Sequence, residues 1–223
     1  MANKLFFFSF LSFILFSCRS IRSQTYPKGA YMTLEEVLEK NPSLDADLIV
    51  EKRTLGEIKM SGGNDYRLVS KNKSVSRKDI KKKITAYSNG DTLYLNCHKM
   101  KVQSWYSPVL KKGRFLFFVG GISQEQNLFD YQIQESETST FWKSFGGIGG
   151  GIQGAKLAQL RFPYLIDTEQ NELTYLNEYG LERLLAQHSI SLLNSYREEK
   201  SGTIDDNNAL LLTYVDKLNA LFE

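Results

Sequence analysis

The chain has 223 residues, 42% of them hydrophobic and 24% charged, with a formal net charge of +3. Those fractions are ordinary for a globular protein, and so near a balance of charge supplies no strong steering field toward a polyanion. With two cysteines and two histidines, the chain has no material for a disulfide framework or a recognisable zinc site, and its stability must rest on core burial.

Lys4 is followed by Leu5 to Phe16, a run that is apolar except at Ser9 and Ser12. A positive start and an apolar run short of the roughly 20 residues that span a membrane make a secretory leader. Leu15-Phe16-Ser17-Cys18 resembles a bacterial lipoprotein cleavage site, with Phe16 the one departure. Residues 1–17 are therefore expected to be a cleaved signal peptide. Cys18 is expected to carry lipid, with residues 18–30 as a tether broken by Pro27 and Gly29 and residues 31–223 as a single domain. Several acyl chains, each contributing about 0.8 kcal/mol per buried CH₂, would hold Cys18 on the membrane. The alternative is a cut near Ser20 or Ser23, giving a secreted or soluble periplasmic protein in which a Cys18–Cys97 disulfide is open.

Thr33 with Glu36 three residues on predicts a helix N-terminus, and Asn41-Pro42 predicts its end. From about 47 to 122 the pattern predicts strands. Gly62-Gly63-Asn64-Asp65 reads as a turn between Ile58/Met60 and Tyr66/Leu68. Asn89-Gly90 between alternating apolar runs is a hairpin signature, and Val102–Tyr106 reads as a further strand. Phe115 to Val119 is apolar on both faces, as a central, doubly covered strand requires. Residues 157–177 predict a second hairpin, in which Pro163 implies an edge strand or a bulge. Two stripes at helical spacing follow, Leu181 to Tyr196 and Leu211 to Phe222, separated at Ser201-Gly202-Thr203. The fold class is α+β: a mainly antiparallel sheet with a short N-terminal helix and a C-terminal antiparallel helix pair.

Cys97-His98 cannot form a dyad if both lie on one strand, because neighbouring residues point to opposite faces. His188 sits on an apolar stripe, where a packed core histidine is the ordinary reading. Lys71, Lys73, Arg77, Lys78, Lys81, Lys82 and Lys83 form a basic run. Its bland reading is a solvated strand edge or loop. Its functional reading, given an exported chain, is contact of Lys78, Lys81, Lys82 and Lys83 with an envelope polyanion rather than with nucleic acid. Gly146, Gly150, Gly154 and Ala158 recur every four residues and would form a close-packing ridge if helical, although glycine costs about 1 kcal/mol per helical position. Gly149, Gly151 and Gly154 also match G-x-G-x-x-G, a motif that needs a strand before it and a helix after it.

Three stretches together, Gly29-Ala30-Tyr31-Met32-Thr33 with Glu35-Glu36, Gly62-Gly63-Asn64-Asp65-Tyr66, and Asn89 to Cys97, resemble uncharacterised envelope proteins of Bacteroidota, in which a leader precedes a domain of unknown function. The likeness covers most of the mature chain. Its motifs are a helix cap and two turns, so it carries no catalytic residue across. It implies an envelope lipoprotein. Arg19 to Arg22 lack the acidic residues that follow the cysteine in surface-exported lipoproteins of that phylum, which implies the periplasmic side. The expected function is non-catalytic binding or scaffolding of an envelope protein or glycan, with no cofactor and no nucleic acid. One alternative is an envelope hydrolase acting on glycan or peptide, built on carboxylates facing across a cleft or on Cys97 near His188. The other is a membrane-associated protein built on the glycine ridge.

Overall fold

The computed structural model describes residues 25–138, 157–202 and 207–223; Cys18, Gly146, Gly150 and Gly154 lie outside these described residues. The fold is α+β. Among the described residues nine strands form one mostly antiparallel sheet in the order β1-β4-β5-β6-β7-β8-β9, with β2 and β3 as a ribbon attached to β6. The strands are β1 (Gly29–Tyr31), β2 (Leu48–Lys52), β3 (Tyr66–Ser70), β4 (Ala86–Ser88), β5 (Leu93–Asn96), β6 (Tyr106–Lys111), β7 (Phe115–Gly120), β8 (Phe162–Asp167) and β9 (Glu172–Tyr175). The helices are α1 (Leu34–Glu39), α2 (Leu55–Ser61), α3 (Arg77–Lys82), α4 (Gln126–Thr138), α5 (Glu178–His188), α6 (Ile190–Gly202) and α7 (Asn207–Ala220).

Local chemistry explains the elements that sequence predicts. Thr33 Oγ1 accepts from the Glu36 N–H at 3.1 Å and starts α1. The Glu36 carboxylate accepts from Met32 N–H at 2.6 Å, one residue upstream of the usual capping box. Lys40 ends the helix in the left-handed region at φ 56. In the β4–β5 hairpin Asn89 Oδ1 accepts from the N–H groups of Asp91 and Thr92, and Gly90 takes φ 102. An Asx turn with a positive-φ glycine is what Asn-Gly encodes.

β7 is covered on both faces. Phe115 and Phe117 pack with Leu181, Leu185, Tyr214 and Leu218 of the C-terminal helices. Leu116 and Phe118 pack with Leu95, Cys97, Tyr164 and Ile166 on the opposite side. A third cluster, with Leu48, Leu68, Ile80, Tyr87 and Tyr106, lies under the β2–β3 ribbon.

Six expectations are corrected. The tether does not reach residue 30: Tyr26 is buried, and β1 begins at Gly29 and pairs with β4. Gly29 is required there, since its φ is 147 and a Cβ would meet Pro42 at 2.9 Å. The segment read as strand around Ile58 is helix α2, opened by a Thr54–Glu57 capping box and ended at Gly62. The basic run is no strand edge: Arg77–Lys82 is helix α3, capped by Ser76 Oγ accepting from Asp79 N–H. Val102 makes one isolated bridge, to Ser123, and β6 starts only at Tyr106.

β8 is an interior strand between β7 and β9. Its proline is tolerated because the Pro163 carbonyl accepts from Leu176 N–H on the β9 side. In an antiparallel ladder the nitrogen faces the same way, so the missing N–H falls where β9 has already ended, at Tyr175. The first C-terminal stripe is interrupted at Ser189, whose N–H closes α5 on Leu185 O while its hydroxyl accepts from Leu192 N–H and opens α6. α6 and α7 form the expected pair: Tyr196 and Tyr214 meet edge-on at 5.1 Å, and Glu199 accepts from Tyr214 OH and Lys217 Nζ.

Candidate functional site

A buried polar node sets the position of everything around the β2–β3 ribbon. Asn64 is fully buried. Its Nδ2 donates to the carbonyls of Gln103 (2.5 Å) and Ser104 (3.0 Å), and its Oδ1 accepts from Gly121 N–H (2.6 Å) and Ser107 Oγ (3.2 Å). Arg53 Nη1 donates to Asn64 O at 2.7 Å, and Arg161 donates to Gly63 O and to Asp65. Buried amides and guanidinium groups must find such partners, and here they tie the start of β3 to the approach to β6 and the end of β7. Gly63 has φ 89, and a Cβ there would collide with Trp105 Cδ1. Trp105 is held at φ 78 with Arg53 stacked 5.1 Å from its ring. A bulky residue in that region is strained, and such strain persists only where the surroundings enforce it.

The opposite wall is α3. Asn96 Nδ2 donates to the carbonyls of Ile80, Lys81 and Ile84, and Tyr106 OH donates to Ile80 O at 2.6 Å. These bonds clamp the helix's C-terminal end to β5 and β6. Between α3, β3 and the Ser104–Tyr106 segment lies a groove of about 1080 Å³. Leu68, Ile80, Val75 and Tyr106 supply apolar surface to it, and Trp105 forms part of its lip.

The charge around the groove is unbalanced. Arg67 is neutralised by Glu51 (2.7 Å) and Glu57 (2.6 Å). Glu57 is held below the ordinary carboxylate range, first by the Thr54 N–H and hydroxyl and then by Arg67. Lys71, Lys73, Arg77 and Lys81 also line the groove and are exposed. None of these four side chains has an ion-pair partner among the described residues.

Of the basic residues singled out in the sequence, only Lys81 among Lys78, Lys81, Lys82 and Lys83 lines the groove. Lys83 instead pairs with Asp79 at 2.8 Å. Lys71, Lys73 and Arg77, from the same run, complete the rim. Sequence pattern does not single out Arg67 or Trp105; the signals it offers are an arginine within an alternating strand and a tryptophan in a segment without a regular period. Ala158 is buried, and its carbonyl accepts from Arg161. The other three members of its ridge lie outside the described residues.

Cys97 is fully buried and its thiol is pushed up to about 12 by that burial. It belongs to the cluster on one face of β7, whereas His188 packs edge-on against Phe115, on the other face, and against Phe222. The two are not brought together. Among the described residues no group of three or more His, Cys, Asp or Glu side chains is placed to hold a metal ion, and no helix is long and apolar enough to cross a membrane.

The sequence profile of a family of unknown function (DUF6563) matches residues 29–221, from the first residue of β1 to just beyond α7. No curated protein and no solved structure matches the chain.

Proposed function

The chain belongs to that family of unknown function. We propose that it is a lipid-anchored protein of a Bacteroidota cell envelope, a reading supported by the pattern of residues 1–17 as a leader before Cys18. In this reading it is held on the periplasmic side and acts without catalysis, by binding an envelope protein or glycan. The observation that carries the binding reading is the groove beside α3: apolar surface within, its one lining carboxylate, Glu51, paired to Arg67, and a rim of Lys71, Lys73, Arg77 and Lys81 with no ion-pair partner among the described residues. Clustered, unpaired cations beside apolar surface favour an anionic occupant. The inert Cys97 and the neutralised pair Glu51 and Glu57 support binding over thiol or carboxylate catalysis.

Two measurements test the two halves of this reading. Palmitate labelling is expected in the wild type and absent in Cys18→Ala; equal labelling of both would remove the anchor. For the groove, Trp105 emission is followed in a Trp142→Phe background during titration with polyglutamate and with polygalacturonate. A saturable shift that weakens with salt, and that disappears when Lys71, Lys73, Arg77 and Lys81 are all changed to glutamine, is the expected result. Silence of Trp105 toward both polyanions would overturn the groove as the binding site.

A further inference from the structure

We propose that the groove receives an extended acidic segment of a partner protein, which adds to the sheet along the free edge of β3. This rests on the reading of the groove as an anion site and names the partner and its mode of attachment.

The phase of the β2–β3 ladder fixes which backbone groups of β3 face outward. Arg53 N–H donates to Asp65 O at 2.7 Å, just beyond the paired residues Lys52 and Tyr66. Residues 65, 67 and 69 therefore turn their N–H and C=O groups toward β2, and residues 66, 68 and 70 turn theirs away, since the two directions alternate along an antiparallel strand. The far end of the ribbon has the same phase. Leu48, opposite Ser70, directs its N–H and C=O away from β3, where both meet Tyr87 OH at 3.3 and 2.9 Å.

On β3's outward side, among the described residues, only Tyr66 has a strand partner, Tyr106 of β6. Beyond it the Ser104–Trp105 segment diverges, and the outward N–H and C=O groups of Leu68 and Ser70 have no hydrogen-bond partner among the described residues. The groove occupies the space along this edge: Leu68, Val69 and Ser70 form one side of it and Ile80 and Lys81 of α3 the other.

An unpaired strand edge is a template for another strand, and proteins that leave one open usually cover or charge it. Here, once Glu51 is set against Arg67, the charge left over is cationic and has no ion-pair partner among the described residues. A strand laid beside β3 would satisfy Leu68 and Ser70 and turn alternate side chains toward Leu68 and Ile80, with the remaining side chains within reach of the cationic rim. Main-chain pairing with alternate-side-chain selection is the known mode of β-strand addition, and the rim makes the preferred sequence an alternation of apolar and acidic residues.

The test uses the Trp142→Phe protein and a short peptide of alternating valine and glutamate. Two further copies of the peptide are N-methylated, one at the valines and one at the glutamates. Only one of these sets of N–H groups can face β3. One methylated peptide is therefore expected to bind about tenfold or more weakly than its parent, and the other to bind nearly as well. Ser70→Pro, which removes an outward N–H and leaves the β2 ladder intact, should weaken binding of the parent peptide, while Ser70→Ala should not. Thermal melts of both variants establish that they are folded. Equal binding of all three peptides would overturn strand addition while leaving the groove as an anion site. Strand addition is likewise overturned if polygalacturonate saturates the groove and the peptide does not bind. Equal peptide binding by the variant with all four rim cations changed to glutamine would instead overturn the groove itself.

Discussion

Asn64→Ala is expected to destabilise the protein by about 3–5 kcal/mol, a loss large enough to move a denaturation midpoint well outside the range of surface substitutions. The side chain is fully buried and makes four hydrogen bonds, to Gln103 O, Ser104 O, Gly121 N–H and Ser107 Oγ. Alanine removes one donor group and one acceptor at once. The Gly121 N–H and the Gln103 carbonyl are left without that partner inside the protein, and each buried orphan costs about 1–3 kcal/mol. Asn64→Asp is a sharper version of the same experiment. It preserves an acceptor for Gly121 but faces the Gln103 and Ser104 carbonyls with oxygen, so it too should destabilise. Urea or guanidinium unfolding of both variants checks the prediction. A loss below about 1 kcal/mol for alanine would mean that water takes over the bonds. Because Ser104 O and the neighbouring Trp105 form one lip of the groove, the surviving folded fraction should also show altered Trp105 emission in the Trp142→Phe background.

Phe117→Ala is expected to cost about 3–5 kcal/mol by a different route, the loss of a large buried ring and the cavity that remains. Phe117 is 1% exposed and packs beneath the C-terminal helices with Leu165, Leu181 and Tyr214. Its position in the middle of β7, with strands paired on both sides, leaves the backbone little freedom to collapse into the space. Leu110→Ala, on the neighbouring strand but 54% exposed, should stay within about 0.5 kcal/mol of the wild type. Equilibrium unfolding of the pair gives the comparison directly. If the two variants lost similar amounts, β7 would not be the doubly covered centre of the sheet.

These two positions differ in how far the sequence announces them. Phe117 sits in Phe115-Leu116-Phe117-Phe118-Val119, an unbroken, β-prone apolar run of the kind a strand covered on both faces carries. The run therefore carries its own explanation. Asn64 sits in Gly-Gly-Asn-Asp, which reads as a turn between strands, whereas it stands just past the Gly62 cap that ends α2. Its four side-chain partners, however, are 39 to 57 residues away, so nothing local distinguishes it from an exposed loop asparagine.

The same division runs through the helices. α1 and the C-terminal pair are marked by a cap or by stripes of apolar residues. α2 and α3 have seven and six residues, too few for a stripe to stand out, so the alternation around them dominates the reading. Their caps, Thr54-x-x-Glu57 and Ser76-x-x-Asp79, are the signals that mark them. The break at Ser189 is invisible to periodicity because the apolar stripe continues through it, yet the serine both ends one helix and caps the next.

The elements legible in the amino-acid order are those whose cause is local. Apolar period, turn chemistry and caps specify the two hairpins, β7, α1, the C-terminal helices and hence the α+β class, because each depends on residues a few positions apart. Which of the basic residues lie together emerges only when the chain is folded. Four cations from a longer run converge on one groove, Arg67 is removed from the count by Glu51 and Glu57, and among the described residues β3 pairs with β6 only at Tyr66 because the segment before β6 diverges at Trp105. The difference is one of range. Hydrogen bonds and packing that close a turn act along the chain, whereas a groove is bounded by segments that meet only after burial of Asn64, Arg161 and the three hydrophobic clusters has drawn them together.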